Sequence, residues 1–210
     1  MSPTASEIWF PRVRPSARYS RGMSEAAHSS PETVRDPVHE PSLDYLELNL
    51  NASKAERYDQ LRARVRALVE HETDWLANLG NAAAEVFAWL PNLNWAGFYL
   101  MKNGELVLGP FQGRPACVRI KVGRGVCGTA VSSRTTQVVA DVHAFPGHIA
   151  CDVRSRSEIV VPVIVGGEVV AVLDLDSAEL NNFGTEDRAG LEALVADLVR
   201  HVDWGLATAG

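Results

Sequence analysis

The chain has 210 residues, 46% of them apolar and 22% charged, with a formal net charge of −6. That length supports one domain with a full core, and the mild acidity gives no global cationic field for holding nucleic acid. No run of 18 apolar residues exists, which excludes a membrane-spanning helix. The first thirty residues have no apolar h-region, and three cysteines make a poor disulfide framework. We therefore expect a soluble, cytoplasmic, single-domain protein.

Six of the eleven prolines fall within the first 41 residues, and residues 1–22 hold four Arg against one Glu. A Pro-rich stretch without an apolar face cannot offset its ordering entropy. We read residues 1–42 as a mostly disordered extension, or an upstream start with translation beginning at Met23. No function is assigned to it, and the folded domain is expected over 43–210.

From Lys54 the pattern turns helical, with Tyr58, Leu61, Val65, Leu68 and Val69 on one face. A second helix is expected from Asp74 to Leu90, its apolar face formed by Leu76, Leu79, Ala83, Val86, Phe87 and Leu90, and closed by Pro91. Asn94–Met101 and the ELVLGPF run from Glu105 flank Asn103-Gly104, a strong hairpin signal. Gly125–Ser133 reads as a short helix. Residues 158–165 and 168–176 form a second hairpin across Gly166-Gly167. A last helix opens with Thr185 as N-cap and carries Leu191, Leu194, Val195, Leu198, Val199 and Val202 on its inner face. Together these predict an α+β domain around an antiparallel sheet.

Cys117, Cys127 and Cys151 include no C-x-x-C, so neither structural zinc nor a thioredoxin-like pair is suggested. His143, His148 and Cys151 lie in one loop, too weak a ligand set to predict a metal. Cysteine is commonly a small buried hydrophobe, but local context argues otherwise here. Cys151 sits in a polar loop with Arg154 and Arg156, which favour a thiolate, and Cys117 follows Pro115 between Arg114 and Arg119. Cys127 opens the short helix, where the dipole is expected to lower its pKa.

Asp174 and Asp176 alternate with leucines, so both carboxylates face one side of an apolar strand. They either end the strand at a turn or face a cavity that suits a small cation such as an α-ammonium. Trp95 and Tyr99, four residues apart, share a strand face, as core or as cavity wall. Glu158 depends on register: a plain two-residue turn at Gly166-Gly167 sets it opposite Leu175, whereas a bulged three-residue turn sets it opposite Asp176.

The segments NWAGFYL, LGPFQGRPACVRIKVGRGVCGTA, the Cys151 loop, SRSEIVVPV and VLDLDS together resemble the free methionine-(R)-sulfoxide reductases, single GAF-domain enzymes. The resemblance spans about residues 45 to 205. It implies a GAF-like fold, a central antiparallel sheet of about six strands with helices from both chain ends on one face. It further implies Cys151 as attacking thiolate, Cys117 as its disulfide partner, and Cys127 as an auxiliary recycling thiol or alternative catalytic residue. Glu158, Asp174 and Asp176 would bind and polarise the substrate, with Trp95 and Tyr99 walling the methyl sulfoxide.

On that resemblance the substrate is free methionine sulfoxide and no cofactor is bound. An external thioredoxin system supplies electrons, and homodimer assembly stays open. A protonated Glu158 would activate the sulfoxide oxygen. Attack by Cys151 leaves a sulfenic acid, and Cys117 condenses with it to a disulfide. Backbone N–H groups in Gly123–Gly128 would hold the carboxylate. The competing readings are a stand-alone GAF sensor without catalysis, since fold alone does not decide function, and a scaffold whose cysteines are structural.

Overall fold

The computed structural model describes residues 52–149 and 151–209. The expectations for residues 1–42, and the domain boundary at 43, lie outside the described residues. Two helices come first, α1 (Lys54–Val69) and α2 (Trp75–Trp89), followed by strands β1 (Leu93–Lys102), β2 (Glu105–Gly113) and β3 (Arg119–Lys121). Next are α3 (Gly125–Ser133), β4 (Gln137–Val139), β5 (Ser157–Val165), β6 (Glu168–Ser177), α4 (Thr185–His201) and α5 (Trp204–Thr208). The six strands form one antiparallel sheet in the order β3-β2-β1-β6-β5-β4. No helix among the described residues is long and apolar enough to cross a membrane.

Strand alternation divides the core in two. Ala96, Phe98, Ile159, Val161, Leu173 and Leu175 face one side and pack against α1, α2, α4 and α5. Trp95, Tyr99, Val160 and Val172 face the other, against Cys127, Ala130 and Val131 of α3. Helices from both chain ends thus cover one face, and the second face, with α3 as its one α-helix among the described residues, keeps room for a pocket. Each hairpin turn has positive φ at both central residues, Asn103 and Gly104 in one and Gly166 and Gly167 in the other, the geometry that suits two-residue turns between twisted strands.

Two expectations need correction. Leu76 is 54% exposed: the buried stripe of α2 runs Asn78, Leu79, Ala82, Ala83, Val86 and Trp89, so Trp75 occupies its first position instead. The N-cap of α4 is Gly184, with Thr185 one residue inside the helix; Asp187 reaches back and accepts the Gly184 N–H at 2.7 Å. The short edge strands β3 and β4 and the helix α5 were not foreseen, because three to five residues carry too little periodicity.

Asp187 also joins α4 to α1, accepting from Tyr58 Oη at 2.9 Å and pairing with Lys54 Nζ at 2.8 Å. The Tyr58 ring lies against Gly190, where a Cβ would overlap Cγ and both Cδ atoms. Gly190→Ala should therefore cost about 1–3 kcal/mol through overpacking. Urea midpoints at unchanged m-value measure it, and a stability equal to wild type would contradict this packing.

Candidate active site

The pocket lies on the α3 side of the sheet and is lined by Trp95, Tyr99, Cys127, Cys151, Glu158, Asp174 and Asp176. All eight residues singled out in the sequence come together here, Cys117 through its disulfide to Cys151. Their rows are set by register. Trp95, Asp176 and Glu158 stand side by side across β1, β6 and β5, and Gly97, Asp174 and Val160 form the next row.

That alignment depends on irregularities in the ladders. The Gly166-Gly167 turn is the plain two-residue kind, with Val165 opposite Glu168, but β6 then carries one extra residue, Val170, between the partners of Ile164 and Val163. The bulge shifts all later pairs by one, so Glu158 faces Asp176 rather than Leu175. The sequence allowed a bulged turn, or a Glu158 lying just before regular pairing begins; the structure instead pairs Glu158 regularly and puts the bulge inside the strand. Asn94 is the extra residue of β1 against β6; its amide donates to Ser155 Oγ at 3.0 Å and Asp152 Oδ2 at 3.4 Å, tying the Cys151 loop to the sheet.

Trp95 and Tyr99 are both core and wall. Their rings stack at 5.9 Å, and Trp95 stacks on Phe111 at 5.4 Å. A Cβ on Gly97 would overlap Phe111 and Trp95, so glycine there lets the rings cross the strand. The polar tips hold the Cys117 loop: Trp95 Nε1 donates to the Arg114 carbonyl at 3.1 Å and Tyr99 Oη to the Cys117 carbonyl at 3.0 Å. Cys117 and Cys151 are joined as a disulfide with Cα atoms 5.5 Å apart.

Cys127 is different. It is buried, and its Sγ lies 3.2 Å from Asp174 Oδ2 and 4.0 Å from Glu158 Oε1. Burial pushes its thiol well above the usual range, and Asp174 and Glu158 push it further. The expected lowering by the helix N-terminus is thus overturned: a dipole effect of about 0.3–1 kcal/mol does not offset desolvation beside two acids. A Cβ on Gly128 would strike the Lys121 carbonyl, so glycine there seats α3 closely enough to bring Cys127 to the acids.

Burial likewise raises all three carboxyl groups. Glu158 is pushed well up, with Asp174 and Asp176 adding to the effect, and it donates a hydrogen bond to Asp174. Asp174 is raised to about 7 by burial, against the opposing hydrogen bonds from Cys127 and Glu158. Asp176 is raised by burial and by Asp174, with Ser155 opposing. Asp174 Oδ1 is buried without a partner. Such a set can donate a proton to a bound oxygen and hold a cation.

Ser155 and Arg124 carry no sequence signal: Ser155 is buried beside Asp176 and Arg124 lines the pocket, as does His148, which the sequence raised only as a weak metal-ligand candidate. The N–H groups of Gly123, Arg124 and Gly128 are used internally, which narrows the backbone donors of that segment to Gly125, Val126 and Cys127 at the start of α3. Arg154 is held by Asp152, with Nη2 to Oδ2 2.6 Å apart, and this pair keeps the Asp152 carboxyl near 2. Its charge is therefore partly spent before it reaches Cys151. His143 and His148 rings lie 6.4 Å apart, while Cys151 is engaged by Cys117.

The GAF domain family model matches residues 77–203. Free methionine-R-sulfoxide reductase of Escherichia coli (strain K12) is 52% identical over 146 residues, covering 70% of this chain and 88% of that protein. The chain belongs to the free methionine-R-sulfoxide reductase family. A solved structure of a member from Neisseria meningitidis, in complex with its substrate, is 44% identical with a TM-score of 0.71, covering 74% of this chain and 94% of the other. A Burkholderia vietnamiensis protein named as a GAF sensor is 56% identical with a TM-score of 0.70, over 72% and 96% of the two chains. The family fold, a six-stranded antiparallel sheet with helices from both ends on one face, is the one observed here.

The raised Asp174 makes a linkage prediction. Because its pKa rises on folding, its contribution favours the folded state at low pH and is lost as pH climbs from about 4 to about 7. Asp174→Asn removes that dependence. Relative to wild type, its free energy of unfolding in urea should be larger, meaning greater stability, at pH 8 than at pH 5. An equal difference at both pH values would contradict a raised Asp174.

Proposed function

We propose that this protein reduces free L-methionine-(R)-sulfoxide to methionine, using Cys151 as nucleophile, Cys117 as resolving thiol and a thioredoxin system as reductant. The observation that carries the reading is the Cys117–Cys151 disulfide beside a pocket floored by Glu158, Asp174 and Asp176. The family relationship supports the substrate class.

A sulfoxide sulfur is a poor electrophile until its oxygen is protonated or strongly hydrogen-bonded. Glu158, held protonated by burial, donates to that oxygen. The Cys151 thiolate attacks sulfur, oxygen passes to Cys151 as sulfenic acid, and methionine departs as the thioether. Cys117 then attacks the sulfenic sulfur, a disulfide forms and water leaves. An external dithiol reduces the disulfide by exchange and becomes oxidised itself. Val118 and Val153, 64% and 83% exposed, flank the two cysteines in sequence, so an apolar protein surface can reach the bond. Cys127, with its raised thiol, serves as hydrogen-bond partner of the acids rather than as nucleophile.

The substrate's α-ammonium sits against Asp174 and Asp176. Its carboxylate meets the free N–H groups of Gly125, Val126 and Cys127 at the α3 N-terminus, with Arg124 nearby. Trp95 and Tyr99 wall the methyl group.

Cys151→Ser should abolish methionine release, and Cys117→Ser should release about one methionine per enzyme and then stall with thioredoxin. Quenched single-turnover assays read both; a burst retained in Cys151→Ser and lost in Cys127→Ser would reverse the assignment. N-acetylation or peptide incorporation leaves buried polar groups unpaired, at about 1–3 kcal/mol each. Two such losses predict a drop in kcat/KM of roughly two powers of ten or more. NADPH-coupled turnover of free and peptide-bound isomers measures this. Equal rates would contradict the closed pocket, and no turnover of any isomer would favour the sensor reading.

A further inference from the structure

We propose that Cys127, Glu158 and Asp174 form a binding site for one thiophilic divalent cation of the zinc class, available in the oxidised protein and mutually exclusive with substrate. One ligand atom from each residue lies within 4.8 Å of the others. Cys127 Sγ is 3.2 Å from Asp174 Oδ2 and 4.0 Å from Glu158 Oε1. Tetrahedral zinc at about 2.3 Å from sulfur and about 2.0 Å from oxygen sets its S and O ligands about 3.5 Å apart. The two observed separations bracket that value, so an ion enters with small side-chain adjustments.

A second observation is independent of these spacings. Asp174 is 6% exposed, lines the pocket, and has Oδ1 buried without a hydrogen-bond partner. An unpaired buried carboxylate oxygen is costly, and an ion held by both Asp174 oxygens, Oδ2 toward Cys127 and the otherwise unpaired Oδ1, satisfies it. The ligands come from α3, β5 and β6, three elements held together by the core, so the site is rigid before binding. All three ligand residues line the pocket, so a fourth position on its open side would take water, as in zinc sites that retain exchangeable ligands.

Binding exchanges protons for metal: the Cys127 thiol and the Glu158 carboxyl each lose one to solvent as their bonds to the ion form. No electron moves, so no oxidant or reductant is required. With Cys117 and Cys151 bonded to each other, Cys127 is the remaining thiol of the three. The ion would cover the carboxyl groups that bind the ammonium and the sulfoxide oxygen. The metal site stands on the geometry alone, whereas its exclusion of substrate rests on the proposed reductase reading.

The test uses the full chain in its disulfide form, titrated with Co²⁺ and back-titrated with Zn²⁺. One equivalent of cobalt should give a thiolate-to-cobalt charge-transfer band in the near ultraviolet, bleached by zinc and absent in Cys127→Ser. Asp174→Asn should weaken zinc binding by at least about tenfold. Free methionine sulfoxide should raise the apparent zinc dissociation constant in proportion to its concentration. Absence of the band in the folded wild-type protein, or its persistence in Cys127→Ser, overturns the site. A band and a zinc affinity indifferent to saturating methionine sulfoxide overturn the exclusion. Methionine release, assayed separately on the reduced protein, decides the reductase reading without reference to the metal.

Discussion

Three carboxyl groups crowded at one end of a sheet, Glu158 and Asp174 buried and Asp176 half-buried, repel one another and lose hydration, and the rest of the site is organised around tolerating them. The extra residue at Val170 turns Glu158 toward Asp176 and the α3 face; without it, Glu158 would point among the leucines under the helices. Once the acids share a face, protons must be retained to limit charge, and Glu158 donates to Asp174. Cys127 does the same from above, giving its thiol hydrogen to Asp174 Oδ2 at 3.2 Å. The result is a proton-rich floor beneath an aromatic wall, suited to polarising an oxygen and receiving a cation.

The cysteines show how environment divides chemistry within one residue type. Cys127 stands at a helix N-terminus, which elsewhere stabilises thiolates, yet burial and two acids dominate. A fully buried group can shift by up to about 3–5 pKa units, each unit about 1.36 kcal/mol, well beyond what a helix terminus contributes. Cys117 and Cys151 sit instead in loops fastened to the sheet by side chains, the first through Trp95 and Tyr99, the second beside Asp152, whose carboxylate Asn94 reaches. The aromatic wall and the redox pair are therefore one mechanical unit. A change at Trp95 or Tyr99 affects the position of Cys117 as well as the shape of the pocket.

Much of this was legible in the chain. Asn103-Gly104 and Gly166-Gly167 announce their hairpins, the period of Leu191 to Leu198 marks α4, and the alternation of Asp174 and Asp176 with leucines puts the acids on one face. Register was not legible, because the bulged stretch Val169, Val170 and Ala171 is uniformly apolar and any of its residues fits a strand. The thiol of Cys127 was misjudged because local sequence reports the helix terminus but not the acids arriving from β5 and β6. Ser155 and Arg124 gave no signal, since a serine or an arginine in a loop is ordinary until the fold brings it to a pocket. Leu76 was misassigned only at the first turn of α2, where Trp75 packs inward in its place, while Leu79, Ala83 and Val86 face the core as expected.

The central claim is that Glu158 stays protonated at neutral pH, since both oxygen activation and the tolerance of three crowded acids require it. The most direct measurement is the ¹³C chemical shift of the Glu158 side-chain carboxyl in the oxidised protein, assigned by its loss in Glu158→Gln and followed from pH 5 to pH 9. The account predicts a resonance still at the protonated position at pH 7, its titration displaced upward from that of an ordinary glutamate. A shift already at the carboxylate position at pH 7 would contradict it.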